Sequence, residues 1–215
     1  REVALAATLL SPIITISGSG CIVKNMQYNN EKAAGAASGV AIVTGSRNYF
    51  ENAFFMAPTA SDAASYSLKM SGAENVFKRC TIGQETNPRS AASYGLWLHK
   101  GAGSSVSRNI FDNCLFLSWI SAAGTHAHVL VDADIVAVPW MTIFEDCLFV
   151  NVTGAAGYGV IQAQAIDDDC TAAGHHIILK GKNTFVGCTA VADALTYIYT
   201  QTYFHGGLAA ALAES

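Results

Sequence analysis

The clearest pattern along the chain is a short segment in which apolar and polar positions recur in a fixed order. Each copy has an apolar residue, usually Phe, three positions before an anchor that is most often Cys, and a second apolar residue two positions after it. The copies are Cys21–Tyr28, Asn48–Phe55, Asn75–Ile82, Asn109–Phe116, Thr142–Phe149 and Asn183–Ala190, of which the first and last match least well. The anchors Met26, Ala53, Cys80, Cys114, Cys147 and Cys188 are separated by 27, 27, 34, 33 and 41 residues. A variable period of this size is typical of a solenoid with loops of unequal length.

The spacing inside the segment predicts a corner between two strands. Residues two apart on a strand face the same side, whereas residues three apart do not. A turn must therefore lie between the first apolar residue and the anchor if both are to be buried. The residues just before the anchors are Asn25, Asn52, Arg79, Asn113, Asp146 and Gly187. Five of these six belong to the types that best tolerate the left-handed conformation, so we expect a left-handed corner there.

A further strand is predicted before each segment, and together these elements define the fold. The predicted strands are Ile13–Ser17, Val40–Thr44, Tyr66–Ser71, Gly95–Lys100, His128–Asp132 and His176–Lys180. Most of them are followed by glycine, which indicates a turn. We therefore predict an all-β fold, a single-stranded right-handed parallel β-helix of about six coils within one domain, 1–215. The coils cover about 11–193, and 194–215 forms a C-terminal strand, cap or oligomer contact segment.

This fold predicts two interior columns and one edge that carries the long loops. Phe50, Phe77, Phe111, Phe144 and Phe185 should stack along the axis, with Val23 below them. Cys80, Cys114, Cys147 and Cys188 should lie beside that column as free thiols, because they pack inward on Phe. Loops rich in Ser, Ala, Gly and Pro at Ala57–Ser65, Gly83–Ser93 and Ser118–Thr125 should share one edge of the solenoid.

Composition restricts the possible partners. Only 13% of the residues are charged, against roughly 25% in an average soluble domain, and the formal net charge is −4. The scattered Lys and Arg residues form no basic run, which argues against nucleic-acid binding. The apolar runs are too short to cross a membrane. Because Arg1 is not an initiator Met, we expect further residues before it. The low charge favours a chain that hides surface in an assembly.

The strongest candidate for catalysis is Asp167–Asp169, followed by His175 and His176. Clustered carboxylates near an imidazole are typical of acid–base chemistry on sugars. We favour the alternative, a solvated acidic loop in the longest insertion between coils, because no basic residue accompanies the acids in a suitable pattern. No Ser-His-Asp or Cys-His arrangement is identifiable. We predict no catalytic, cofactor-binding or metal-binding residue.

Two further groups have both a functional and a structural interpretation. His126 and His128 would share a strand face, with Asp132 further along, but spacing identifies no third metal ligand. We therefore interpret both as ordinary surface residues. The aromatic residues Trp97, Trp119, Trp140, Tyr158, Tyr197 and Tyr199 could line a sugar groove or a subunit interface.

The repeated segments also resemble a known family. Asn48–Phe55, Asn75–Ile82, Asn109–Phe116 and Thr142–Phe149, with the preceding Ser65–Met70, are similar to pectate-lyase-like β-helix proteins of tailed-bacteriophage virions. Arg47–Asn52 and Cys80–Gly83 are the most specific parts, and the resemblance covers about 11–190. It implies a structural particle component, bound to the major capsid protein or another virion protein on the outside of the capsid as a decoration or cement subunit. It also implies a trimer and supplies no catalytic residues.

The sequence thus leads to two functional hypotheses. The first is a non-catalytic virion protein on the capsid surface, a homo-oligomer whose contacts include 194–215. A broad apolar flank with few charges would favour it. The second is a carbohydrate-binding or carbohydrate-cleaving β-helix, similar to a tailspike or a polysaccharide depolymerase. A groove with two or three converging carboxylates would favour that one.

Overall fold

The computed structural model consists of three parallel β-sheets that wind around one core, as predicted for a parallel β-helix. It describes residues 3–7, 12–30, 39–56, 64–86, 88–89, 92–101, 106–121, 126–135, 140–152, 161–169, 175–193 and 198–201. In these ranges each sheet contains seven strands, and every pairing between them is parallel. No helix is present in these ranges.

Successive strands of the chain visit the three sheets in turn. Sheet A contains β1 (Val3–Ala7), β4 (Met26–Asn30), β7 (Phe54–Met56), β10 (Thr81–Gly83), β13 (Leu115–Ser118), β16 (Leu148–Asn151) and β19 (Thr184–Val186). Sheet B contains β2 (Ile14–Ile16), β5 (Gly39–Val43), β8 (Ser65–Met70), β11 (Ser93–Leu98), β14 (His126–Val131), β17 (Gln162–Asp168) and β20 (Cys188–Ala192). Sheet C contains β3 (Ile22–Lys24), β6 (Tyr49–Glu51), β9 (Val76–Lys78), β12 (Asn109–Asp112), β15 (Trp140–Glu145), β18 (His175–Lys180) and β21 (Ile198–Gln201).

The aromatic column forms as predicted over its first four phenylalanines. Phe50, Phe77, Phe111 and Phe144 are fully buried in sheet C, and their rings stack with centroids 4.4, 4.8 and 5.1 Å apart. A second interior column runs along sheet A through Tyr28, Phe55, Ile82, Phe116, Phe149 and Phe185. The two apolar positions of each repeated segment therefore fill neighbouring sheets around one core.

The corner between sheets C and A has the predicted left-handed backbone. Asn25, Asn52, Arg79, Asn113 and Asp146 have φ between 51° and 54°. A single residue in this conformation turns the chain sharply enough for the apolar residues on both sides of it to point inward. The anchor residues Cys80, Cys114 and Cys147 follow directly and are buried as free thiols. Burial, together with the two neighbouring thiols, raises the pKa of Cys114.

An asparagine ladder closes the corner between sheets B and C. Asn48, Asn75 and Asn109 are at most 1% exposed. The backbone N–H of Asn48 donates to Oδ1 of Asn75 at 3.0 Å, and the N–H of Asn75 donates to Oδ1 of Asn109 at 2.9 Å. The side-chain amide of Asn75 donates to the Gly45 carbonyl at 3.1 Å. These bonds satisfy backbone groups at a corner where no sheet pairing can do so.

The prediction was wrong in the last coil. Leu179, not Phe185, continues the column after Phe144, because β18 pairs with β15 in sheet C. The segment His176–Lys180 was expected in the sheet that contains β14, and the structure places it one sheet further along. Phe185 lies in sheet A against Phe149, with ring centroids 4.7 Å apart. Cys188 is a free thiol, but it pairs with Gln162 in sheet B, outside the cysteine column.

The physical reason for this shift is a change of corner residue. Gly181 has φ 70° and takes the corner between sheets C and A that Asp146 occupies in the preceding coil. Gly187 has φ 74°, but it lies between β19 and β20 and therefore turns the chain from sheet A to sheet B. The interval of 41 residues before Cys188 thus contains β17, which the sequence suggested was an acidic loop. With β1 at the start and β20 and β21 at the end, the described strands amount to about seven turns, close to the predicted number of about six.

The predicted edge for long loops also exists. The connections that begin after β7, β10 and β13 all lead from sheet A to the next strand of sheet B.

Candidate functional site

The outer face of sheet B brings aromatic and acidic side chains into one strip. Parallel pairing aligns Lys69, Trp97, Leu130 and Asp167 in successive coils. We define the aromatic half of the sheet B strip as Tyr66, Lys69, Tyr94 and Trp97. Its acidic half, at the carboxyl ends of the strands, comprises His99, Asp132, Asp134, Asp167, Asp169 and Asp193.

Trp97 is the centre of the aromatic half. Its ring centroid lies 5.7 Å from that of Tyr66 and 6.0 Å from that of Tyr94. The Lys69 ammonium lies 3.7 Å from the Trp97 centroid, within the range of a cation–π contact. The indole N–H donates to Oδ2 of Asp132 at 2.7 Å, which joins the aromatic half to the acidic half.

Three side chains at the ends of β11 and β14 form a compact group. His99 Nδ1 lies 2.9 Å from Oδ2 of Asp134 and 3.5 Å from Oδ2 of Asp132. The backbone N–H of Asp134 donates to Oδ1 of Asp132 at 3.2 Å, and that of Lys100 donates to Oδ1 of Asp134 at 3.0 Å. Backbone groups therefore hold the outer oxygen of each carboxylate, while the other oxygen faces the imidazole.

A second group lies in the next coils. Asp167, Asp169 and Asp193 each offer a carboxylate oxygen, and these atoms lie within 4.8 Å of one another. Burial raises the pKa of Asp167 to about 6, and the carboxylates of Asp169 and Asp193 add to the shift. Asp167 is 4% exposed, and Gln164 Nε2 donates to its Oδ1 at 3.3 Å. A carboxyl in this environment can hold a proton near neutral pH, as a general acid must.

The acidic run and the histidines that follow it lie in different sheets. Asp167 and Asp168 end β17 in sheet B, whereas His175 and His176 begin β18 in sheet C. The His176 ring contacts Tyr199, with centroids 5.0 Å apart. Asp167 and Asp169 converge with Asp193 and not with His176.

His126 and His128 are not surface residues, as the sequence analysis had proposed. Their exposed fractions are 2% and 0%, because every residue of β14 is buried. The His128 ring lies 5.9 Å from the Phe149 ring in the core, and burial lowers the pKa of His128 to about 3. Arg89, also buried, donates to Ser67 Oγ at 3.3 Å, and its charge contributes to the His128 shift. Asp132 therefore joins His99 instead of these two histidines.

The outer face of sheet A has a different character. From β4 to β19, its outward positions are Gln27, Asn29, Phe54, Met56, Thr81, Gly83, Leu115, Leu117, Leu148, Val150, Thr184 and Val186. None of these described positions is charged, and seven of them are apolar. Leu148 and Val186 are 38% and 47% exposed.

The outer face of sheet C has two rows of different character. One row is apolar and consists of Ile22, Tyr49, Val76, Ile110, Ile143, Ile178 and Tyr199. The other row contains Lys24, Glu51, Lys78, Asp112, Glu145 and Lys180. Ion pairs connect neighbouring coils: Lys24 with Glu51 at 2.8 Å, Lys78 with Asp112 at 2.8 Å, and Lys180 with Glu145 at 2.7 Å. The same repeat thus builds a charged row on sheet C and an uncharged face on sheet A.

Sequence reasoning missed His99, Asp134 and Asp193 as members of the acidic half. A signal was available, because His99, Asp132 and Asp169 each follow the last residue of a sheet B strand. Their backbone N–H groups donate to Met70, Leu98 and Val131, one coil back in each case. Aligning the strand ends, instead of the repeated segments, would have placed these three residues in one row.

Of the candidate aromatic residues, Trp97 is in the strip and Tyr199 is 41% exposed on sheet C. Tyr158 and Tyr197 lie outside the described residues.

Comparison of the chain with protein-family models, with curated proteins and with solved structures found no match. Within the described ranges, no helix is long and apolar enough to cross a membrane.

Proposed function

We propose that this chain is a non-catalytic structural protein of a bacteriophage virion. It binds the outside of the capsid as a decoration subunit, assembled as a homotrimer. The observation that carries the proposal is the uncharged, largely apolar outer face of sheet A. The similarity of the repeated segments to pectate-lyase-like virion proteins supports the choice of particle.

The contrast between two faces of one solenoid supports a contact role for sheet A. All three sheets arise from the same coils, so a general shortage of charged residues in the chain does not explain why only one of these two faces lacks charge. Sheet C carries a row of ion-paired charges, whereas the described outer positions of sheet A carry none. Contiguous exposed apolar surface of this kind marks protein interfaces in soluble proteins.

The dimensions of the face suit a subunit contact. Seven strands about 4.8 Å apart give a surface about 30 Å long. In a cyclic oligomer, every subunit presents its contact surfaces in the same way. The face can therefore pack against neighbouring subunits or against a capsid protein, while the ion-paired row of sheet C remains in water.

Light scattering on the purified full chain tests the assembly, with Leu148→Glu as the disrupting variant. The charge would lie on the apolar face at an exposed position, one strand from the end of sheet A, so we expect wild type to be a trimer and Leu148→Glu to dissociate. Ile22→Glu is the matched control, because Ile22 is 71% exposed on sheet C. That variant should keep the mass of wild type.

Binding to particles tests the location. Phage particles prepared without this protein should take up the wild-type chain at regular positions on the capsid, as seen by electron microscopy. Leu148→Glu should bind at least tenfold more weakly. A stable wild-type monomer that does not bind such particles would overturn the proposal.

A second candidate function is carbohydrate binding or cleavage, and the sheet B strip favours it. Trp97, Tyr66 and Tyr94 offer apolar ring surface next to converging carboxylates. Carboxylate oxygens of Asp167, Asp169 and Asp193 lie within 4.8 Å of one another, and the two carboxyl groups of retaining glycosidases are also only about 5 Å apart.

Incubation with the host's surface polysaccharide distinguishes this candidate. If the strip is catalytic, wild type releases reducing ends, Asp167→Asn abolishes the release, and Trp97→Ala weakens binding. The virion proposal expects no release from any of these proteins.

A further inference from the structure

The group formed by His99, Asp132 and Asp134 has the arrangement of a transition-metal site. One imidazole nitrogen and two carboxylate oxygens face one another, and these three atoms lie within 4.8 Å. His99 Nδ1 is within ion-pair distance of both carboxylates, yet it is not aligned for a hydrogen bond with either. The geometry therefore suits a shared central ion better than a pair of hydrogen bonds.

The separations are near those of ligands around one tetrahedral ion. Nitrogen and oxygen ligands bind Zn²⁺ at about 2.0–2.2 Å, so two of them lie about 3.3–3.5 Å apart at the tetrahedral angle. Of the two distances from Nδ1, 3.5 Å to Asp132 lies at the upper end of that range, and 2.9 Å to Asp134 lies a few tenths of an ångström below it. The side chains of His99, Asp132 and Asp134 are 31%, 23% and 37% exposed, so water can reach a fourth position.

The carboxylates are also held in place from outside the group. Oδ1 of Asp132 and Oδ1 of Asp134 each accept a backbone N–H, and the Trp97 indole orients Oδ2 of Asp132. Such outer contacts fix the direction of ligand atoms and raise metal affinity.

We propose that His99, Asp132 and Asp134 bind one Zn²⁺ ion, with water as the fourth ligand. The mixed nitrogen and oxygen donor set favours Zn²⁺ over Ca²⁺ and Mg²⁺, which prefer oxygen alone. Bound zinc would fasten β11 to β14 at the carboxyl end of sheet B. The proposal rests neither on the virion assignment nor on sugar chemistry.

A charge-paired cluster without metal is the competing explanation. In this explanation a protonated His99 would pair with both aspartates. Lys69 would add a second positive charge nearby: burial lowers its pKa, and the carboxylates of Asp132 and Asp134 partly oppose that shift. This explanation predicts no saturable binding of Zn²⁺.

Calorimetric titration of the full chain with ZnCl₂ separates the two explanations. We expect about one Zn²⁺ per chain and at least tenfold weaker binding in His99→Gln and in Asp134→Asn. Asp169→Asn is the matched control, because it removes the same charge from the next coil of the strip; its affinity should stay within threefold of wild type. Circular dichroism checks that each variant is folded.

Titration with CoCl₂ identifies the ligands. Tetrahedral coordination by nitrogen and oxygen should give visible d–d absorption without the charge-transfer band of a cobalt–thiolate bond. A thiolate band would assign the ion to a cysteine. Equal weakening by Asp134→Asn and Asp169→Asn would indicate diffuse attraction. Either result, or the absence of saturable binding by wild type, would overturn the proposal.

Discussion

At the scale of single residues, buried polar side chains determine how the coils fit together. Asn75 is fully buried and bonds to two neighbouring coils. The Asn75→Ala variant should lose about 2–4 kcal/mol of unfolding free energy, because it leaves the backbone N–H of Asn48 and the carbonyl of Gly45 unsatisfied. Urea denaturation measures the change.

Thr81→Ala is the control for Asn75→Ala. Thr81 lies on the partly exposed outer face of sheet A, and its loss should cost less than about 1 kcal/mol. Equal losses in the two variants would contradict a special role for the ladder.

His128 makes stability depend on pH. Its pKa is lowered to about 3 in the folded chain, mainly by burial, whereas an unfolded histidine titrates near 6.5. Between these values the unfolded chain binds a proton that the folded chain does not. Stability is therefore lost as the pH falls below about 6.5, with a slope approaching about 1.4 kcal/mol per pH unit.

Urea denaturation of wild type and His128→Leu at pH 7, 6 and 5 checks this dependence. The difference in unfolding free energy between the two proteins at each pH removes the contribution of the other titrating groups. As the pH falls, this difference should shift steadily in favour of the variant. Phe149→Leu, a neutral change beside His128, should give a constant difference. A constant difference for His128→Leu would rule out a buried neutral imidazole.

At the scale of elements, one left-handed residue directs the chain from sheet C to sheet A. Asn113 has φ 53° and is exposed, so its backbone conformation matters more than its side-chain contacts. Asn113→Gly should change stability by less than about 0.5 kcal/mol, whereas Asn113→Val should lose about 1–2 kcal/mol. Thermal unfolding of both variants measures this, and equal effects would show that the corner is not strained.

The elements also show where the sequence was sufficient. The repeated segment predicted β3, β6, β9, β12 and β15, because Phe or Val occupies the same inward position in each. It failed at β18, where Leu179 takes that position and a similar segment appears one sheet later. The pattern records which residues point inward, but not toward which sheet.

At the scale of the whole molecule, a solenoid is stabilised by contacts between neighbouring coils. Phe111 stacks on rings in the coils on both sides, whereas Phe185 is half-buried and stacks only on Phe149 among the described rings. Phe111→Ala should therefore lose about 3–5 kcal/mol and Phe185→Ala clearly less. Urea denaturation compares them, and a larger loss for Phe185→Ala would contradict the register of the last coil.

The sequence by itself determined the parallel β-helix, its aromatic and cysteine columns, and the left-handed corners. These features depend on the spacing of residues within one coil, and neighbouring residues encode that spacing directly. The tertiary structure alone decided the register of the last coil, the burial of His126 and His128, and the groups that His99 and Asp193 complete. These features depend on which residues of neighbouring coils become aligned. Loops of unequal length make the repeat vary between 27 and 41 residues, so the sequence spacing does not give that alignment. The tertiary structure also decided the apolar outer face of sheet A. Its residues are scattered along the sequence, and only the stacking of the coils brings them together on one surface.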